Sequence, residues 1–325
     1  MDHQHVCRNL SDGIRNQDPD GRKAARAFRD AFDYVYNGAA TGRFRPDSLS
    51  KTESAHIGSL VEINLRREFD GFITDGVKMD FSIQGYDVDC KYSKSPFGWT
   101  IPLETIGNYA MVCHASDILS TWRLGFVYVD ETILNKGKNR DLKTTIRSAA
   151  RDQIVWAWLD EPLPENVLLH LDPETVDLIM SPKSGQQRVN NLFKYAQNRE
   201  IPRGVIETVA QQKDYMKRVR GNGGARSKLQ NEGIIILGGY QEHQNIAKSL
   251  GLPIPKNGSF VSARISPANH VSEPNTAMIG SSWWRLSTDD DIITPAPPLG
   301  NPSRKSPVES ELQSEQFGKQ DTPNW

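Results

Sequence analysis

A chain of 325 residues, 37% of them hydrophobic, is long enough for two domains of ordinary size. Its 39 Lys and Arg balance 40 Asp and Glu to a formal net charge of −1, so the total advertises neither nucleic acid nor membrane, and any basic surface must be local. Three cysteines, Cys7, Cys90 and Cys113, form no disulfide framework; the opening residues lack the apolar core of a secretory signal, and no apolar run approaches membrane-spanning length. The expectation is a soluble, cytoplasmic protein with no membrane partner.

In chain order, residues 1–20 read as polar and loose. Lys23 to Tyr36 carries Ala25, Phe28, Ala31, Phe32 and Val35 at helical spacing and ends at Asn37-Gly38. A second amphipathic helix places Ile57, Val61, Leu65 and Phe69 on one stripe, with Glu62 at its edge. Strands follow at Asp80–Ile83 and Tyr86–Tyr92, and Gly125 to Asp130 reads as a central strand. Leu142, Ile146, Ala150, Ile154 and Trp158 predict a further helix with a basic start that includes Lys136, Lys138 and Arg140, either a solvated helix end or a contact for the DNA backbone. The run Asp160 to Glu165, with two prolines among acids, reads as a linker, and Asn166 to Leu171 as a strand.

Beyond Ser184 the composition shifts. Helices are expected at Arg188–Ala196, Arg203–Gln211 and Asp214–Arg220, followed by Gly233 and the strand Ile234–Leu237, an order that resembles helix-turn-helix and winged-helix modules. Between Lys183 and Lys228 stand eleven basic residues against three acids, an electrostatic footprint for phosphates in which Lys213, Lys217, Arg218, Arg220, Arg226 and Lys228 are the candidate DNA contacts. The Pro- and Ser-rich stretch from 288 to 325 reads as a disordered tail. The expected division is therefore 1–163, 164–287 and 288–325.

The chemistry concentrates in Asp80 and in the strand containing Asp87, Asp89 and Lys91. Side chains two apart on a strand point the same way, so Asp87, Asp89 and Lys91 share one face while Tyr86, Val88, Cys90 and Tyr92 share the other. Carboxylates and an amine at one end of a sheet suit a divalent cation and an activated water. A solvated same-face pair is the alternative reading of Asp89 and Lys91. Glu68, in the charged cluster Arg66-Arg67-Glu68, competes with Glu62 as the helix carboxylate. Lys94, in the loop after the strand, is a candidate phosphate contact.

The pattern Asp80…Asp89-x-Lys91, with Met79 where a proline often stands, resembles the PD-(D/E)xK nuclease core. With Glu62 on the preceding helix, the order resembles the MutH mismatch-repair endonuclease and, more closely, the NaeI-type restriction endonucleases, over residues about 20 to 285. Val35-Tyr36-Asn37-Gly38 also resembles the K-x-D-G segment of DNA ligases with valine in place of the lysine, which removes the nucleophile a ligase needs.

The resemblance implies an α/β nuclease core, a mixed sheet flanked by helices, followed by a helix-turn-helix or winged-helix DNA-binding domain. It implies Mg²⁺ as cofactor, held by Asp80, Asp89, the Cys90 carbonyl and Glu62, with Lys91 completing the catalytic set. It further implies a type II endonuclease cutting double-stranded DNA at a GC-rich palindrome, a second DNA copy as effector, and a homodimer. A MutH-like nicking enzyme and a non-catalytic DNA-binding regulator are the alternatives.

Overall fold

The computed structural model describes residues 2–137, 143–212, 214–268 and 274–299. Helices α1 (His3–Gln17), α2 (Arg22–Tyr36), α3 (Gly38–Thr41) and α4 (Lys51–Glu68) come first. Strands β1 (Ile73–Asp75), β2 (Phe81–Ile83), β3 (Tyr86–Ser93), β4 (Thr100–Ile101), β5 (Tyr109–Ser116), β6 (Thr121–Tyr128), β7 (Thr144–Thr145) and β8 (Val155–Pro162) follow. Then come α5 (Pro173–Met180), α6 (Gly185–Tyr195), β9 (Glu200–Ile201), α7 (Arg203–Ala210), α8 (Met216–Val219), α9 (Ala225–Gln230), β10 (Ile234–Gly238), α10 (Gln241–Ser249), β11 (Phe260–Pro267), β12 (Thr276–Ile279) and β13 (Ser282–Leu286). These elements make two compact units. The first comprises residues 1–196 and 201–219; the second comprises Gln197–Glu200 and the described residues from Arg220 onward.

The first unit is built on a mixed six-stranded sheet in the order β1-β2-β3-β5-β6-β8. The β3/β5 pair is parallel, while β5/β6 and β6/β8 are antiparallel. Helices α1, α2 and α4 cover one face. Leu10, Phe28, Ala31, Val61 and Leu65 pack there against Val88, Cys90, Met111, Cys113 and Leu124 from the strands. The opposite face buries Trp99, Ala110, Val112, Val127, Ile133 and Ile154 beneath loops and short helical turns. A sheet buried on both faces needs apolar residues at successive positions, which is why all of β5 from Tyr109 to Ala115 is buried. Ser50 starts α4 with a capping box: its hydroxyl accepts from the Glu53 amide at 3.2 Å, and the Glu53 carboxylate accepts from the Ser50 amide at 2.8 Å.

Three expectations are corrected. The stretch expected to be loose, residues 1–20, is ordered from Asp2 onward, because α1 is capped by Asp2 and buries Val6, Cys7, Leu10 and Ile14 against the sheet. The helix expected over 142–158 is instead β7, a 3₁₀ segment (Ser148–Gln153) and β8, with Leu142, Lys138 and Arg140 outside the described residues. Its four-residue spacing arose because Ile146, Ala150 and Ile154 reach one core while Trp158 reaches the other across the sheet. The dense Val155-Trp156-Ala157-Trp158 run favours a strand. Residues 166–171 hold a 3₁₀ turn (Val167–Leu169) rather than a strand.

The second unit is an antiparallel sheet in which β10, β11, β13 and β12 are neighbours in that order. Ile235, Leu237, Val261, Ala263, Ile265 and Trp284 form its core with Ala247 and Leu250 of α10. Residues 288–299, within the stretch read as a tail, are described and pack here: Ala296 is buried and its amide donates to the Gln230 carbonyl at 2.8 Å. The rest of that stretch, from residue 300, lies outside the described residues. Among the described residues no helix is long and apolar enough to cross a membrane.

Candidate active site

The site is assembled by a hairpin. Strands β2 and β3 pair with Ile83 opposite Tyr86, leaving Gln84 and Gly85 as a two-residue loop with φ of 53° and 83°. Two consecutive left-handed residues make the turn whose twist matches paired strands, and glycine at the second avoids the Cβ clash. The register Phe81↔Val88 then carries Asp80 abreast of Asp89 one step further on. Asp80 Oδ2 accepts the Cys90 amide at 2.8 Å, fixing its side chain on β3.

Lys91 sits between the two carboxylates. Its ammonium donates to Asp89 Oδ1 and lies 3.7 Å from Asp80 Oδ2, with the Cys90 carbonyl 3.3 Å away. Asp89 is buried at 5% exposure, and that burial raises its carboxyl pKa against the lowering effect of the bonds from Lys91 and Thr105. Burial acts to lower the Lys91 pKa, but its bond to Asp89 and the charges of Asp89 and Asp80 outweigh it, so the net shift is upward. The lysine is therefore an ammonium at neutral pH, suited to orienting a water and holding phosphate charge rather than to taking a proton.

Glu62 stands near this cluster on α4. Its carboxyl pKa is raised by burial and by the charge of Asp80, opposed by Arg66 and Lys91. Arg66, one turn on, lies 3.6 Å from Glu62 Oε1, donates to the Asp80 carbonyl at 2.9 Å, and reaches Asp75 at 2.9 Å. It ties the helix carboxylate to the backbone just ahead of β2, at Asp80. Glu68, the competitor from the sequence, is held in a bidentate pair by Arg26 on α2. Asp87 accepts from the Val77 amide at 2.9 Å and so braces the loop before β2 instead of joining the cluster.

Cys90 contributes only backbone to the site. Its side chain points into the helix-side core beside Cys113, where the contact with that thiol and burial push its pKa well up. All three cysteines are free and buried. Val35, at the ligase-like position, is buried in the same core, and Asn37 beyond it closes α2 in a left-handed conformation.

Among the described residues no three His, Cys, Asp or Glu side chains converge closely enough to form a ready-made metal cage. Asp80 and Asp89 nevertheless already share one cation, the Lys91 ammonium, and their donors are hard oxygens. That set fits Mg²⁺, which keeps several waters and takes one or two carboxylates.

The candidate DNA contacts fall in different settings. Lys94 is exposed in the loop after β3. Lys217 and Arg218 belong to the first unit: Lys217 is exposed and 3.3 Å from Asp214, while Arg218 donates to Gln212 Oε1 at 3.1 and 3.0 Å. Arg220, Arg226 and Lys228 belong to the second. Arg220 and Lys228 are exposed; Arg226 is turned inward, donating to the Ile236 carbonyl at 3.0 Å over the Phe260 ring. Lys213 lies outside the described residues.

Two residues at the site escaped the sequence reading. Arg66 could have been found, since Glu62 and Arg66 have the four-residue spacing of a helical ion pair. Thr105, which donates to Asp89 Oδ2 at 2.5 Å, left no local signal.

The family described as restriction endonuclease NaeI matches residues 8–295. The type II restriction enzyme NaeI of Lentzea aerocolonigenes is 46% identical over 287 residues, covering 86% of this chain and 90% of that protein. The chain belongs to the NaeI family of restriction endonucleases.

Proposed function

We propose that this type II, sequence-specific DNA endonuclease hydrolyses phosphodiester bonds with the cluster of Glu62, Asp80, Asp89 and Lys91, on a core of PD-(D/E)xK type. The observation that carries the reading is the Lys91 ammonium lodged between Asp89 and Asp80 at the end of the β2–β3 hairpin. Asp80 and Asp89 would hold Mg²⁺, with the Cys90 carbonyl and Glu62 at its margin. Bound there, the ion supplies positive charge that acidifies a water and screens the phosphate oxygens.

The protein's own groups do the rest. Lys91, charged at neutral pH, orients the attacking water and stabilises negative charge building on the phosphate. Arg66 keeps Glu62 and Asp80 in mutual register. Burial of Asp89 limits competing solvent and strengthens each of these interactions.

Residues 1–163 would carry the cutting chemistry and 164–287 a helix-turn-helix or winged-helix surface binding a second DNA copy. The order of helices α6, α7, α8 and α9 and then strand β10, with the basic surplus of this stretch, supports that reading; the helices through α8 fall in the first compact unit and the rest in the second. Cutting both strands of a palindrome calls for two sites related by a two-fold axis, hence a homodimer. The nicking and non-catalytic alternatives are disfavoured: the family matched is one of type II restriction enzymes, and all four side chains of the cluster are present.

The test uses plasmid carrying the recognition site. Wild-type protein linearises it with Mg²⁺ and stops on chelation, whereas Asp89→Ala binds the DNA without cutting it. Undiminished cleavage by Asp89→Ala would overturn the assignment.

A further inference from the structure

Both oxygens of the Asp89 carboxylate are engaged, by two different groups. Oδ1 takes the Lys91 ammonium, on the side shared with Asp80; Oδ2 takes the Thr105 hydroxyl at 2.5 Å. Thr105 is fully buried, at the end of a 3₁₀ turn (Leu103–Thr105) between β4 and β5. Its backbone is fixed on both sides: its amide donates to the Pro102 carbonyl at 3.2 Å, and its carbonyl accepts from Asn108 at 3.0 Å. The next residues are pinned to the end of β6, where Gly107 donates to Val129 at 2.8 Å and Val129 donates to Asn108 at 2.9 Å. The hydroxyl is thus presented from a rigid base.

A carboxylate turns about its last torsion in a broad, two-fold well, so an aspartate held at one oxygen alone can offer either oxygen to a neighbour. A hydroxyl has a single proton to give, and a buried carboxylate oxygen without a donor is costly. We infer that Thr105 is a positioning residue for Asp89: it anchors Oδ2, keeps Oδ1 toward Asp80 and Lys91, and thereby sets the affinity of this pair for a divalent cation. Groups that orient a ligating carboxylate in this way typically change metal affinity about 10- to 100-fold when removed. The inference rests on reading Asp80 and Asp89 as the cation site.

Mn²⁺ is the probe, its binding to the full chain without DNA followed by the electron paramagnetic resonance signal of the free ion. Thr105→Val removes the donor at nearly constant volume and raises the half-saturating Mn²⁺ concentration about tenfold. Thr105→Ser keeps the donor and stays within about twofold of wild type. The Mg²⁺ concentration for half-maximal plasmid cleavage shifts in the same order. Thr105→Ala, with unfolding temperatures for all three variants, separates positioning from folding. Affinity that sorts with the hydroxyl supports the inference, and affinity that sorts with unfolding temperature overturns it. If Asp89→Ala loses Mn²⁺ while Thr105→Val binds as wild type does, the cation site stands and the role of Thr105 is refuted. If Asp89→Ala keeps Mn²⁺, the cation-site reading itself fails and the role of Thr105 falls with it.

Discussion

Arg66 on α4 donates to the backbone carbonyl of Asp80 at 2.9 Å while lying 3.6 Å from the Glu62 carboxylate. One guanidinium thereby joins a helix to the strand edge where the acidic cluster forms: its Nη2 serves both contacts while its Nη1 reaches Asp75 at 2.9 Å. Arg66→Leu should lower the maximal plasmid-cleavage rate about 10- to 100-fold, the scale on which misplacing a group in an active site costs rate. DNA affinity measured in Ca²⁺ should change little. A variant that cut at the wild-type rate would remove Arg66 from the site's framework.

Deep in the first unit, Asp117 is a hub of folding rather than of cutting. It accepts from Arg29 at 2.5 and 3.3 Å, from the Tyr36 hydroxyl at 2.8 Å and from Asn166 at 3.3 Å. Asp117→Ala removes one of two carboxylate partners of the buried Arg29, which keeps Asp33 at 2.9 Å, and leaves the Tyr36 hydroxyl without its acceptor, so it should destabilise the first unit by roughly 1–3 kcal/mol. Urea denaturation followed by tryptophan fluorescence measures it; a loss under 1 kcal/mol would mean that the network matters little.

In the second unit His243 is buried and accepts the Gly238 amide at 3.1 Å on its Nδ1. Burial and the nearby Arg226 charge lower its pKa to about 4. The folded state therefore refuses a proton that the unfolded chain accepts below the ordinary histidine value of 6.5. Stability should be lost as pH falls from 6.5 toward 4, by an amount on the order of 3 kcal/mol from this group. His243→Asn, which offers an acceptor without the titration, should show a shallower acid-side loss in denaturation between pH 7 and 4.5. Equal slopes in the two proteins would refute the assignment.

The basic residues should divide by what their charges already do. Exposed Lys217 and Lys228, changed to Ala one at a time, should weaken DNA binding across all sequences and reduce the salt slope by about one each. Arg226→Ala should act first on stability, since its guanidinium holds the Ile236 carbonyl and packs over Phe260. Filter binding from 50 to 200 mM salt beside thermal melting distinguishes the two behaviours. A melting temperature unchanged in Arg226→Ala would count against its structural role.

What could be read in the sequence was what depends on near neighbours. Period-two alternation put Val88 and Cys90 on the core face of β3 and left Asp89 and Lys91 opposite. Four-residue stripes located α2 and α4, and Asn37-Gly38 marked where α2 ends. The same rule failed over 146–158, because equal spacing also arises when a chain crosses from one core to another. It overlooked α1, although Val6, Leu10 and Ile14 recur every four residues there and bury against the sheet.

By itself the sequence determined the chemical inventory of this protein: a hairpin bearing Asp80, Asp89 and Lys91, a helix bearing Glu62, and a basic stretch beyond residue 183. Tertiary structure alone decided which of those groups are committed elsewhere. Glu68 goes to Arg26, Asp87 braces a loop, and Arg226 turns into its own core. It also delivered Thr105, 16 residues from Asp89 in the chain, to a carboxylate oxygen that no local pattern assigns to it. Secondary structure follows from contacts between near neighbours, whereas the partner of a buried charge is chosen by which segments the collapsed core brings together.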